Sequence, residues 1–236
     1  MNMSFDRRRK SLYRDRIEAG RRLAADLGAY AGPGTLVLAL PRGGVPVGLE
    51  IARALGASLD VLLVRKLGFP GRAEVAAGAI ASGGVRVLNP EVAVLLDPRH
   101  LDRVEERERQ ELARRERAYR GDRPPPSLAE RTVILVDDGM ATGATMRAAV
   151  KAARAMRART IVVAVPVAPP DRLEALHRAA DAVVCPYAPT PFGALSLWYE
   201  EFPQLADETV RELLMRAWGD PAAGPAEVSC AGGSTS

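Results

Sequence analysis

Four stretches of this chain are nearly unbroken apolar runs of strand length: TLVLAL at 35–40, LDVLLV at 59–64, TVILVD at 132–137 and TIVVAV at 160–165. A strand with one wet face alternates apolar and polar residues. A run without alternation marks a strand covered on both faces, as in a parallel sheet between helical layers. Helical patterns fall between the runs. Ile17, Leu23, Ala24, Leu27 and Tyr30 space out a helix over 12–30, stopped by Gly32, Pro33 and Gly34. Residues 45–55 read as a helix closed by Gly56, and further helices are expected over 143–156, over 171–180 after Pro169-Pro170, and over 207–218. A short fifth strand fits 182–185. Strand–helix alternation of this kind forces right-handed crossovers and an α/β fold.

The remaining segments decorate that frame. Residues 65–74 are rich in charge, Gly and Pro and read as a loop. Residues 76–82 and 85–88 flank Gly83-Gly84 as in a hairpin. Residues 91–120 form a long charged stretch in which Glu105–Arg109 and Glu111–Arg115 lie one helical turn apart, which predicts a solvent-exposed helix. A connector with three successive prolines covers 121–127. One domain is expected over 12–218, with an amino-terminal extension at 1–11 and a disordered tail at 219–236.

Composition narrows the function classes. With 236 residues the chain has room for one α/β domain with a real core. Its apolar runs fall far short of the roughly 20 residues that span a bilayer, and no apolar segment follows the basic start MNMSFDRRRK, so a cytoplasmic protein without a membrane partner is expected. The two cysteines, Cys185 and Cys230, sit in unlike contexts, and Cys185 reads as a buried thiol. The histidines His100 and His177 are far apart, so no zinc site is legible and any metal should be a hard cation held by oxygen. The net charge is +4, but only Arg7 to Lys10 form a like-charge block, which reads as a solvated terminus and not as a nucleic-acid surface.

The chemistry concentrates in VILVDDGMATGAT, residues 133–145. An apolar strand runs into two carboxylates, Asp137 and Asp138, and a short loop with Gly139, Thr142, Gly143 and Thr145 opens a helix. Open α/β sheets bind ligands at the carboxyl ends of their strands. Helix-start N–H groups favour an anion, glycine lets the backbone approach it, and threonine hydroxyls donate to phosphate oxygens. Two acids would repel a bare phosphate. They make sense as acceptors for sugar hydroxyls, or as holders of a magnesium ion shared with the ligand. The Walker A and G-x-G-x-x-G patterns are both absent.

This segment resembles the signature of type I phosphoribosyltransferases, which bind 5-phosphoribosyl-1-pyrophosphate (PRPP). The resemblance covers about residues 13–214 and is greatest to a bacterial branch that shares the long charged helix. It implies a central, mainly parallel sheet of about five strands flanked by helices, with a hairpin and long-helix insertion and a small hood. By matching position, Asp137 and Asp138 take the ribose hydroxyls, and the PRPP loop comprises Gly139, Met140, Ala141, Thr142, Gly143, Ala144 and Thr145. PRGG at 41–44 resembles the pyrophosphate loop, with Arg42 as charge partner and Gly43 and Gly44 giving backbone access. RKLGFPGRAE at 65–74 resembles the segment leading into the flexible catalytic loop, where Arg65 or Lys66 would neutralise the leaving pyrophosphate. Magnesium would come with PRPP, and homodimers are common in the family.

The acceptor implied is a small nitrogen compound such as a nucleobase. The Asp that assists 6-oxopurine enzymes is replaced by Ala141, and the loop text ATGAT is closer to that of adenine enzymes, in which a Glu matches Glu74 in a loose alignment. PFGALSLWYEEF at 191–202 resembles the base-stacking hood, giving Phe192, Trp198 and Tyr199 as acceptor contacts. Trp198 stands where 6-oxopurine enzymes carry an acid, which speaks against guanine and hypoxanthine. Two other readings stay open at this point: a PRPP-sensing regulator that binds nucleic acid, and a hydrolase of a phosphorylated ribose compound.

Overall fold

The computed structural model describes residues 11–69 and 72–219, without the side chains of Phe69 and of residues 72–75. The expected amino-terminal extension and carboxyl-terminal tail fall almost wholly on 1–10 and 220–236, outside the described residues. Strands β1 (Thr35–Ala39), β2 (Ser58–Val61), β6 (Thr132–Val136), β7 (Thr160–Ala164) and β8 (Ala182–Val184) form one parallel sheet in the order β2-β1-β6-β7-β8. Every residue of β1 is buried, as the unbroken run predicts. Helices α2 (Gly44–Leu55) and α7 (Asp207–Ala217) contribute to the apolar cluster on one face, and α5 (Ala144–Ala155) and α6 (Pro170–His177) to the cluster on the other.

The order has a switch point. The chain leaves β1 towards β2 on one side, and leaves β6 towards β7 and β8 on the other. The register pairs Ala39 with Val136, so the segments after β1 and β6 leave the sheet side by side. The Leu40 amide still donates to the Val136 carbonyl at 2.8 Å. A crevice opens between such divergent connections.

Three expectations need correction. The run 59–64 is not one strand: β2 ends at Val61, and Val64 already begins β3 (Val64–Phe69) of a second sheet. Residues 65–74 are accordingly not a loop. β3 pairs antiparallel with β4 (Arg72–Ala81), which pairs with β5 (Val85–Leu88) through the expected Gly83-Gly84 turn, where both glycines have positive φ. The charged stretch is broken in two, α3 (Pro90–Ala93) and α4 (Pro98–Arg120), with Asp97 capping the Arg99 amide and Pro98 at the first helical position.

Helix α4 is less exposed than its charge suggests. Glu105 and Glu108 are buried against the small sheet, where Glu105 accepts from Arg86 of β5 at 2.7 Å and Glu108 from Arg65 of β3 at 2.7 Å. The Glu105–Arg109 and Glu111–Arg115 pairs form as expected. Neighbouring arginines hold Glu105 and Glu111 below the usual carboxylate range. At its end, Arg120 is buried and pairs with Asp60 of β2 at 2.9 Å, which locks the long helix to the main sheet.

The first helix, α1, spans Arg16–Ala25 and is shorter than the expected 12–30. Asp15 ends it by accepting from the Glu18 amide at 2.8 Å. Tyr13, freed from the helix, bridges to Tyr199 instead. No helix among the described residues is long and apolar enough to cross a membrane.

Candidate functional site

The PRGG turn after β1 and the acidic turn after β6 meet in the crevice. Contact is close enough to exclude any side chain at two glycines. A Cβ added to Gly43 would lie 1.9 Å from Asp138 Oδ2, and one on Gly44 would lie 2.5 Å from the Val136 carbonyl oxygen. The peptide between Pro41 and Arg42 is cis. Gly43→Ala should therefore cost about 1–3 kcal/mol in urea unfolding and shift the Asp138 carboxylate. Wild-type stability would mean that the two turns part freely.

The two acids differ sharply in surroundings. Asp138 is buried, and its Oδ2 accepts from Arg16 Nε at 2.7 Å. Arg16 comes from α1, donates also to the Pro203 carbonyl at 2.8 Å and stacks 3.8 Å above the Phe202 ring. Tyr199 donates its hydroxyl to the Asp138 backbone carbonyl. Asp137 accepts from the Asp138 amide, at 2.9 Å. Burial, and then the neighbouring Asp138 charge, push the Asp137 carboxyl well above the usual carboxylate range.

The loop that follows combines a buried base with an exposed lip. The Met140 amide donates to the Val167 carbonyl at 3.0 Å and its side chain is buried, whereas Ala141, Thr142 and Thr145 are exposed. Gly143 caps α5 at φ +70°, a left-handed conformation that favours glycine. The first amides of α5 lie at the positive end of its dipole, and the Ala144 amide donates to Thr142 Oγ1 at 3.4 Å. An anion beside sugar hydroxyls suits this arrangement.

The other expected site residues are distributed around the crevice. Arg42 lies 3.9 Å from Asp207 at the start of α7, and Tyr119 of α4 donates to that same Asp207 at 2.6 Å. Arg65 and Lys66 point to opposite faces of β3. Arg65 is held by Glu108, while Lys66 is exposed and has no acidic partner among the described residues. The Glu74 side chain lies outside the described set. Trp198 and Tyr199 are buried with Tyr13 in a small aromatic core, and Trp198 donates its indole N–H to the Phe192 carbonyl at 3.1 Å. Phe192 is half-buried at the rim of that core. The Cys185 thiol is half-buried and is pushed up to about 11 by burial.

Sequence reasoning missed Arg16. Its signal was its spacing: Arg16 precedes Ala19, Gly20 and Leu23 by three, four and seven residues, which puts it on the stripe that α1 buries. Magnesium can be tested against the donors present. Asp137 and Asp138 offer hard carboxylate oxygens, one of them already occupied by Arg16. No group of three His, Cys, Asp or Glu side chains that could hold a metal occurs among the described residues. The donors therefore fit an ion shared with a diphosphate ligand, whose own oxygens complete the shell.

Comparison with known proteins agrees with this geometry. A model of the phosphoribosyl transferase domain matches residues 9–193. Two Mycobacterium tuberculosis proteins, Rv0571c of strain H37Rv and MT0597 of strain CDC 1551, are both provisionally named phosphoribosyl transferases; each is 46% identical over 211 residues. The alignment takes in 89% of this chain and 48% of each relative, so the chain spans about half their length. The crystal structure of TT1426 from Thermus thermophilus superposes with a TM-score of 0.81 at 44% identity, covering 86% of this chain and 98% of that one. Sheet order, the paired turns and these matches agree: the chain belongs to the phosphoribosyl transferase domain family.

Proposed function

We propose that this protein is a phosphoribosyltransferase that takes PRPP with Mg2+ and passes phosphoribose to a nitrogen acceptor, releasing pyrophosphate. The observation that carries the reading is the contact between Gly43 and the Asp138 carboxylate. It sets the PRGG backbone, suited to a diphosphate, directly against the acids suited to ribose hydroxyls. PRPP carries both groups on adjacent carbons, and its 5-phosphate would take the lip of Ala141 to Thr145. The domain responsible is 12–218.

In this reading Asp137 and Asp138 accept from the ribose hydroxyls, and Arg16 holds the Asp138 carboxylate in place through its hydrogen bond. Arg42 turns from Asp207 to the pyrophosphate. Lys66, without an acidic partner among the described residues, is the better placed of the β3 cations to neutralise the leaving group, and Glu74 near the hairpin tip would approach the acceptor as the hairpin closes. Magnesium, when bound with PRPP, supplies charge neutralisation on the diphosphate oxygens. Phe192, at the rim, is the hood residue free to contact an acceptor ring; Trp198 and Tyr199 support it from behind. A cytoplasmic enzyme working as a homodimer fits the family.

The test is pyrophosphate release from PRPP and Mg2+ across nucleobases and small nitrogen compounds. Acceptor-dependent release is expected. PRPP binding without turnover on any acceptor would move the protein to the sensor reading, in which nucleic-acid affinity should fall steeply with salt.

A further inference from the structure

A cavity of about 300 Å3 lies between the small sheet and α5, and neither Asp137 nor Asp138 lines it. Lys66 of β3 and Arg147 and Lys151 of α5 line it, and among the described residues no acidic side chain does. Strands β3 and β5 and helix α5 contain no Asp or Glu, Glu91 of α3 is exposed and not part of the lining, and the one acid of β4, Glu74, has its side chain outside the described set. Arg147 uses one N–H on the Thr142 carbonyl, at 3.0 Å, and neither lysine has an ion pair among the described residues. Elsewhere in this chain arginines sit on carboxylates: Arg86 on Glu105, Arg65 on Glu108, Arg120 on Asp60 and Arg154 on Asp181. Three cations around one hollow, none facing a carboxylate among the described residues, make a positive patch that favours an incoming anion.

The rest of the wall is apolar, with Val87, Leu88 and Val92 on the side of β5 and α3. The volume is at the lower end of that of small-ligand sites. Three cations and three aliphatic residues in one lining match a compact anion with an apolar body. We infer that this cavity binds a small organic phosphate, its phosphoryl oxygens on Lys66, Arg147 and Lys151 and its apolar part against Val87, Leu88 and Val92. The Arg147 fork and the two ammonium groups supply the directed donors and point charges that a phosphoryl group takes. The cavity shares Lys66 and Ala144 with the proposed PRPP site, whereas Lys151 belongs to no part of that site, so the test turns on Lys151.

The experiment is calorimetric titration of the full chain with phenyl phosphate at fixed ionic strength, with inorganic phosphate as the matched anion lacking an apolar part. Lys151 is exposed, so Lys151→Glu and Lys151→Gln should fold like the parent. Phenyl phosphate is expected to bind at least tenfold more weakly to Lys151→Glu and several-fold more weakly to Lys151→Gln. Its affinity for Asp137→Asn should equal that of the parent or exceed it, which separates this cavity from the ribose site. Equal binding by parent and Lys151→Glu would overturn the assignment. So would inorganic phosphate binding as tightly as phenyl phosphate, since the apolar wall would then contribute nothing.

Discussion

Asp137→Asn should lower PRPP-dependent pyrophosphate release about a hundredfold and leave the protein as stable as before, or more so. The catalytic loss follows from removing a charged acceptor of ribose hydroxyls, worth up to about 3 kcal/mol, or roughly two powers of ten in rate. The stability gain follows from the unfavourable setting of Asp137. Its carboxyl is half-buried beside the Asp138 charge and, through desolvation and that charge, binds its proton more tightly in the fold than in the unfolded chain. Such a group favours the folded state at acid pH, and that contribution is lost as pH rises from the unfolded value through the raised folded one. At neutral pH the parent protein therefore carries a penalty that asparagine avoids. Thermal melts of parent and variant at pH 5 and pH 8 measure it: the variant's relative stability should be greater at pH 8. Unchanged turnover would remove Asp137 from the ribose role; an unchanged stability difference between the two pH values would remove the penalty.

Arg16→Met should act in the opposite sense, destabilising the protein by about 3–5 kcal/mol in urea unfolding, because it strands the Asp138 charge in the interior. Both side chains of that pair are about nine-tenths buried. Asp138→Asn should cost a similar amount by stranding Arg16. Joining the two substitutions should cost less than their sum, because neither charge is then left alone. Strict additivity would mean that the pair contributes no coupling. For the same reason, simultaneous replacement of Asp137 and Asp138 is a poor probe of the ribose site: it confounds loss of binding with loss of fold.

Much of the main sheet was legible because its signal is local. A strand buried on both faces writes itself as TLVLA or TIVVA whatever surrounds it, and the turn VDDGMATGAT shows its acids and glycines in one line. What was not legible depends on distant partners. The run 59–64 is continuous in sequence, yet Leu62 and Leu63 carry the chain from one sheet to another, and an apolar run does not say which sheet it joins. Arg65 and Lys66 resemble loop residues by composition. They are tolerable in a strand because Glu108, from a helix 43 residues away, receives the first and a hollow receives the second. Trp198 and Tyr199 looked like a binding platform because aromatics serve equally as core, and only Tyr13 from the other end of the chain decides between the two.

The tie between α1 and the crevice also bears on when the site can exist. Arg16 meets Asp138 across 122 residues and Pro203 across 187, and Tyr13 reaches the Pro166 carbonyl across 153. On a ribosome Tyr13 and Arg16 emerge well before these partners. Until the hood has been synthesised, Arg16 lacks Phe202 and Pro203, so the main sheet can pair before the Asp138 side chain is fully held. High sequence separation slows this last closure. A nascent chain halted before residue 203 should therefore have its sheet largely formed while Arg16 lacks its hood contacts, so that the Asp138 side chain is fully held only after residue 203 has been made.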